Sequence, residues 1–290
     1  MKRALIACFL IIAQHTYTSG QINRSFQDNI EFTQYLINKK QHSDAIFLLD
    51  KIDKSSLTNH QVDSMNYYLG KAHYNLQDLI NSSFYFSAVR DTSLAFYFEA
   101  KFFDAYNNLY IGDLEDGASI LNNLKPKANL LTELLNFEKA GLALLDRNLD
   151  DFDTLANNFK YNYFQFTDQQ KALVEIGQDL RKRKKKSPFV AGLMSAIIPG
   201  SGKIYAGKTG QGLASLIGTS IFALQAIEGY RKDGPSSFRF IAFSSIFSLF
   251  YVGNIWGSVF TVKSVNDEFN EAVDHKILFD LHIPLRTIFH

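Results

Sequence analysis

Cysteine is almost missing from this chain, and its one occurrence, Cys8, falls within the first ten residues. If that segment is a removable leader, no thiol remains for a disulfide, a thiolate nucleophile or a cysteine metal site. Proline is nearly as scarce: only Pro126 lies between Asn29 and Lys186. Net charge is missing too. Thirty Lys and Arg face 29 Asp and Glu, a formal +1, and such a balance speaks against a nucleic-acid partner. Reactive constellations are absent. His42, His60, His73, His275, His282 and His290 have no metal-ligand spacing to another histidine or a carboxylate. No Gly-x-Ser-x-Gly elbow occurs. Acidic clusters such as Asp113-Leu114-Glu115-Asp116 and Asp150-Asp151 fall at turns or helix starts, where they favour helix N-termini. The expectation is a protein that is not an enzyme and carries no catalytic residue, cofactor or metal.

What is present begins with Met1-Lys2-Arg3, an apolar run from Ala4 to Ala13, and a polar exit through His15 to Gly20. That is the pattern of a secretory signal over residues 1–20, too short to span a bilayer. Leu5-Ile6-Ala7-Cys8 looks like a lipidation box, but Cys8 lies too early to leave a full apolar run before it. Export without disulfides fits a bacterial envelope.

From residue 21 to about 180, apolar residues recur three and four apart, the helical period. Phe47, Leu48 and Ile52 are one such set; Phe84, Ala88 and Val89 are a second, and Ile120, Leu121 and Leu124 a third. Polar turns near Lys40-Gln41, Asn75-Leu76-Gln77, Ile111-Gly112-Asp113 and Arg147-Asn148 add a period of about 35 to 37 residues. Each turn joins two amphipathic helices, and stacking is what buries their apolar faces. The clearest unit is Tyr68-Leu69-Gly70-Lys71-Ala72-His73-Tyr74, then Asn75-Leu76-Gln77-Asp78, then Phe86. It resembles the tetratricopeptide pattern over about residues 29–160, without that family's signature tryptophan. Ala45, Leu49, Gly112, Gly117, Leu121 and Leu124 stand where the family places packing residues. An irregular helical bundle is the plainer alternative. The resemblance implies a concave groove for protein partners, with Tyr67, Tyr68, Tyr74, Tyr85, Tyr97 and Tyr106 as candidate walls. Core packing is the competing role for those rings.

Six cations in a row, Arg181, Lys182, Arg183, Lys184, Lys185 and Lys186, begin a basic linker over 181–187. Placed beside apolar chain, they suit contact with lipid headgroups. Residues 188–262 read as a two-span membrane domain. Thr209 to Ala226 and Phe240 to Val262 are uncharged, and the second is long enough to cross a bilayer. Arg231-Lys232-Asp233-Gly234-Pro235 is the turn between them, and Arg239 and Lys263 bracket the second. Gly253 and Gly257 lie four apart, as do Ser215 and Thr219, spacings that permit close helix packing in lipid. Asn254 is placed to hydrogen-bond across the hairpin. Gly202-Lys203 is not a phosphate loop: Ile197 stands where the first glycine belongs and Ile204 where Ser or Thr belongs.

Pro199-Gly200-x-Gly202-Lys203-x-Tyr205-x-Gly207, with Gly212 beyond, resembles the entry motif of small bacterial two-span membrane domains. Lys203 stands where that motif usually has Gln. The resemblance covers about residues 187–262 and implies a membrane location with helix packing through these residues. Over residues 263–290, Ile277, Phe279, Leu281 and Ile283 alternate. Alternation predicts a strand, either added to a partner's sheet or packed as an extended segment on the membrane domain.

The fold class is therefore all-α, a tetratricopeptide-like helical hairpin array followed by a transmembrane helical hairpin. The expected function is an envelope scaffold that binds protein partners through its repeats. The alternative is an accessory factor for membrane-protein insertion or transport acting through the hairpin. Other envelope proteins and membrane lipids are the expected partners, in an undetermined oligomeric state. The expected location is the bacterial inner membrane with the repeats in the periplasm. One tension stands: the signal exports the repeats, whereas the basic linker favours the cytoplasmic side.

Overall fold

The computed structural model describes residues 25–289; the leader read over residues 1–20, with Cys8, lies outside them. Among the described residues there are thirteen α-helices, one short 3-10 turn and no strand, so the fold is all-α. The chain divides into two compact units, Met1–Leu124 and Lys125–His290.

The first unit holds three helix pairs. These are α1 (Phe26–Asn38) with α2 (His42–Asp50), α3 (Asn59–Asn75) with α4 (Leu79–Ser87), and α5 (Tyr97–Ile111) with α6 (Leu114–Asn123). The turn inside each pair is built the same way. Lys40, Gln77 and Gly112 adopt left-handed φ values of 60°, 62° and 89°. The next N–H then reaches back five residues, Gln41 to Leu36 O at 2.9 Å, Asp78 to His73 O at 3.0 Å and Asp113 to Asn108 O at 2.9 Å. This closes the helix with its last carbonyls satisfied. Asp78 and Asp113 at once cap the following helix, accepting from the N–H of Asn81 and of Asp116. In the second unit Arg147, with φ 61°, repeats the device, Asn148 N reaching Ala143 O at 2.8 Å. Lys40 to Gln77 is 37 residues, and Gln77 to Gly112 and Gly112 to Arg147 are 35 each. The turns read from polar composition thus recur as one backbone motif, four times over.

The first pair packs on α3 through two apolar clusters. Ile30, Leu49, Met65 and Leu69 form one cluster, and Leu36, Ile37, Ala45 and Ala72 another. A Cβ on Gly70 would lie 2.6 Å from the Phe86 ring, so the glycine is what lets α4 lie against α3. Two residues of the expected core face are turned out: Phe47 and Phe84 are 65% and 66% exposed. The helical period was right, but the buried stripe runs through Ala45 and Leu49 on α2 and Ser82 and Phe86 on α4.

The second unit opens with α7 (Asn129–Leu145), α8 (Leu149–Ala156) and α9 (Thr167–Lys182). Two short helices follow, α10 (Pro188–Ile197) and α11 (Ser201–Ala206), and then two long ones, α12 (Thr209–Asp233) and α13 (Phe238–Phe289). Both long helices have the length and apolarity to cross a membrane. Only 17% and 6% of their most apolar stretches are buried. A core helix of a water-soluble protein would be covered; these are not.

The tail differs from the expected strand. α13 has 52 residues, about 78 Å at 1.5 Å per residue, and carries the chain from the apolar stretch through the tail as one helix. Ile277, Leu281 and Leu285, four apart, are fully buried, while Phe279 between them is 65% exposed. The apparent alternation was a helical stripe with Phe279 on its far side. It packs on α7 and α9: a Cβ on Gly141 would lie 2.4 Å from Leu281 Cδ2, and Arg147 pairs with Asp274 at 2.7 Å.

Candidate functional site

The motif Pro199 to Gly212 builds a helical turn-back. Ile198 is extended, as a residue before proline prefers, and this ends α10. Gly200 then takes φ +88°, and a Cβ there would lie 2.0 Å from the carbonyl oxygen of Gly212. A Cβ on Gly202 would lie 2.1 Å from Ala191 O, and one on Gly212 2.5 Å from Ile204 Cγ1. At Gly200 and Gly202 the nearest neighbour is a backbone carbonyl, so α11 lies against α10 and α12 at backbone distance. Gly207, φ +94°, ends α11. The Tyr205 hydroxyl accepts from Ser187 N at 3.1 Å, and Lys186 Nζ lies 5.9 Å from the Tyr205 ring centre. The end of the α10–α11 pair therefore returns to its start.

Hydroxyls tie this pair to α13. Ser195 Oγ accepts from Gly202 N at 2.9 Å and donates to Ser258 Oγ at 2.7 Å. Ser258 Oγ also bonds its own Asn254 carbonyl at 2.9 Å. Tyr251 donates to the carbonyl of Ala196. Ser248 bonds the carbonyl of Ser244 within its own helix at 2.9 Å.

Beside this network lies a cavity of about 620 Å³ between α12 and α13. Lys203 enters it from α11, its Nζ donating to Ser215 Oγ at 2.8 Å. The Lys203 stem lies over Gly257, whose added Cβ would be 3.5 Å from Lys203 Cε. Gly253 has open space where a Cβ would stand, so it lines the cavity rather than seating a helix. Asn254, 5% exposed, also lines it, and neither its amide nitrogen nor its amide oxygen has a hydrogen-bond partner. The cross-hairpin bond expected of Asn254 is not made. The reason is local: on the facing helix Ser215 is engaged by Lys203, and the cavity separates the two.

The basic linker is partly structural. Arg183 stacks on Phe269 at 3.3 Å and reaches Asn266 and Asn270 on α13. Arg181 pairs with Asp153, and Asn266 donates to Lys186 O at 2.9 Å. Lys182, Lys184 and Lys185 are exposed, the three best placed to meet an anionic surface.

The six tyrosines of the first unit do not form one surface. Tyr67 and Tyr106 are buried. Tyr67 stacks on Phe96 at 4.2 Å and its hydroxyl accepts from Lys71, which pairs with Glu99 at 3.1 Å. Burial drives the Tyr67 hydroxyl pKa upward. Tyr68, Tyr74, Tyr85 and Tyr97 are half-buried; Tyr74 packs edge-on to Phe103 at 4.7 Å and Tyr85 stacks on His73 at 5.3 Å. The most open large apolar side chains of this unit are Phe47, Ile80 and Phe84, on the second helix of a pair. A wheel drawn through Leu49 and Phe86 would have found them. Between α4 and α5, Asp104 is buried and accepts from Ser83 and Asn108, and burial pushes its carboxyl up to about 6. Burial also raises the Glu138 carboxyl on α7. Among the described residues no group of three or more His, Cys, Asp or Glu gathers to hold a metal ion.

Neither a family model, nor a curated protein, nor a solved structure matches this chain.

Proposed function

We propose that this chain is a membrane-anchored scaffold that holds a protein partner on its helical repeats. The observation that carries it is the coexistence, in one chain, of two uncovered apolar helices and a repeat array whose second helices expose Phe47, Ile80 and Phe84. The former suits lipid. The latter is the kind of exposed apolar surface that protein partners cover. In this reading the resemblance to tetratricopeptide repeats supplies the mode of binding, with the contact centred on the second helices, since Tyr67 and Tyr106 are buried. The signal over residues 1–20 directs the repeats to the periplasmic side of a bacterial inner membrane. Lys182, Lys184 and Lys185 then meet headgroups on that side.

The test is site-specific photocrosslinking in intact envelopes. A photoreactive residue at position 47, 80 or 84 is expected to give an adduct of defined mass, and one at position 106, a core site, none. No adduct at any of the three exposed positions would remove the scaffold reading. A reporter fused after Gln178 tests the side of the membrane; activity only as a cytoplasmic fusion reverses the orientation.

A second reading, an accessory to membrane-protein insertion or transport, is favoured by the cavity between the two long helices, into which Lys203 and Asn254 bring polar groups. Retained cellular function after deletion of residues 25–124 would select it.

A further inference from the structure

The cavity between α12 and α13 is a site without an occupant assigned by anything above. We infer that it binds the anionic phosphate headgroup of a membrane phospholipid, with Lys203 as the cation that recognises it. The inference rests on the membrane-anchor reading.

Three independent observations meet here. Lys203 carries a charge with no carboxylate within ion-pair distance among the described residues, whereas nearby Lys208 has Glu268 at 3.7 Å, and at the hairpin turn Glu228 holds both Lys232 and Arg239. A half-buried charge among apolar helices gains from a counter-charge, and a hydroxyl from Ser215 supplies none. Asn254 is the second: a buried amide with two unmet hydrogen-bonding atoms lining the same space. Native buried amides are ordinarily satisfied. The third is shape. The lining joins polar Lys203, bonded to Ser215, and Gln211 one turn before Ser215 with apolar Leu249 and Phe250 on the facing helix.

That polarity runs the right way along the helices. Ser215 lies seven residues from Lys208, about 10 Å along the helix, and Leu249 lies fourteen from Lys263, about 21 Å. Lys208 and Lys263 mark the charged end of the two helices that lies away from the hairpin turn. The cationic end of the cavity therefore sits nearer the headgroups, and the apolar end deeper among acyl chains. Leu249 and Phe250 are themselves open to the outer apolar surface of the helices, so a lipid has a sideways route in. Ammonium, hydroxyl and amide N–H donors suit phosphate oxygens.

Binding is read on the full-length protein in zwitterionic detergent, by native mass spectrometry and thermal unfolding. Phosphatidylglycerol, phosphatidylcholine with the same acyl chains, and inorganic phosphate alone are the probes. Phosphatidylglycerol is expected to remain bound and raise the unfolding midpoint. K203Q, which installs the Gln usual at this place in the resembling motif, should weaken retention about tenfold, and N254L should weaken it as well. K208Q should leave it unchanged. Equal retention of both lipids, or equal retention by wild type and K203Q, overturns the inference. So does a shift produced by inorganic phosphate alone, which makes the ligand an aqueous anion, or loss of lipid only on neutralising Lys182, Lys184 and Lys185. Failure of the anchor reading looks different: the chain would be monodisperse without any detergent.

Discussion

The repeats and the turn-back hairpin both use glycine to bring helices together, yet the two regions do so against different neighbours. Gly70 makes room for a phenylalanine ring; Gly200 and Gly202 make room for carbonyl oxygens of the backbone. A ring can tilt aside and a carbonyl held in a helix cannot. The repeat array should therefore tolerate change by repacking, and the hairpin should not.

The sharpest way to break that comparison is Gly202→Ala or Gly200→Ala. Each puts a methyl about 2 Å from a backbone oxygen, and Gly200 also needs its left-handed φ. More than about 4 kcal/mol of stability should be lost, read as loss of the thermal transition of the detergent-solubilised chain. Phe86→Ala and Leu281→Ala come next, at about 3 kcal/mol each from cavities in the two units. Leu281→Ala should also raise amide exchange across residues 270–289, since the tail helix is held on α7 through that side chain. Gly70→Ala should cost less, about 1–3 kcal/mol by overpacking, and Phe86→Leu in the same chain should recover part of it. If Gly70→Ala proves as damaging as Gly202→Ala, the contrast is wrong.

A smaller effect is titratable. The folded state holds the Asp104 carboxyl up at about 6, against about 3.9 in an unfolded chain. A raised carboxyl favours its protonated form when folded. Its contribution is thus complete below about pH 4 and is lost as pH rises through 6. Asp104→Asn should remove a slope worth on the order of 2 kcal/mol between pH 4 and 7, measured as the difference in unfolding free energy between wild type and variant. An identical slope in both would exclude this origin. Smallest on stability, within about 0.5 kcal/mol, is Phe84→Ser, which should still reduce crosslinking from position 80.

Much of the array was legible because its turns are local chemistry. Lys40, Gln77, Gly112 and Arg147 sit just before Gln41, Asp78, Asp113 and Asn148, and polar residues at a fixed interval betray a turn without knowledge of tertiary contacts. Phase was harder. Phe47 and Phe84 keep the helical period while pointing outward, and only the neighbouring helix decides which stripe is covered. The tail was misread for a related reason. Leu281 and Ile277 are in register for a helix, and Phe279 gave the false alternation; continuity with the preceding apolar helix settles it. At the cavity, Lys203 stood out as a departure from the resembling motif, but the unmet amide of Asn254 beside it comes from a helix some 50 residues further along the chain. The tyrosines were visible and their burial was not, because a ring on an amphipathic helix serves a core and a surface equally well.

All of this depends on α12 and α13 standing with bare hydrocarbon outward, and alkaline carbonate extraction of membranes carrying the full-length chain tests it most directly. The chain should stay with the pelleted membranes and leave them only in detergent. A chain released by carbonate and sedimenting as a folded monomer in plain buffer would contradict it.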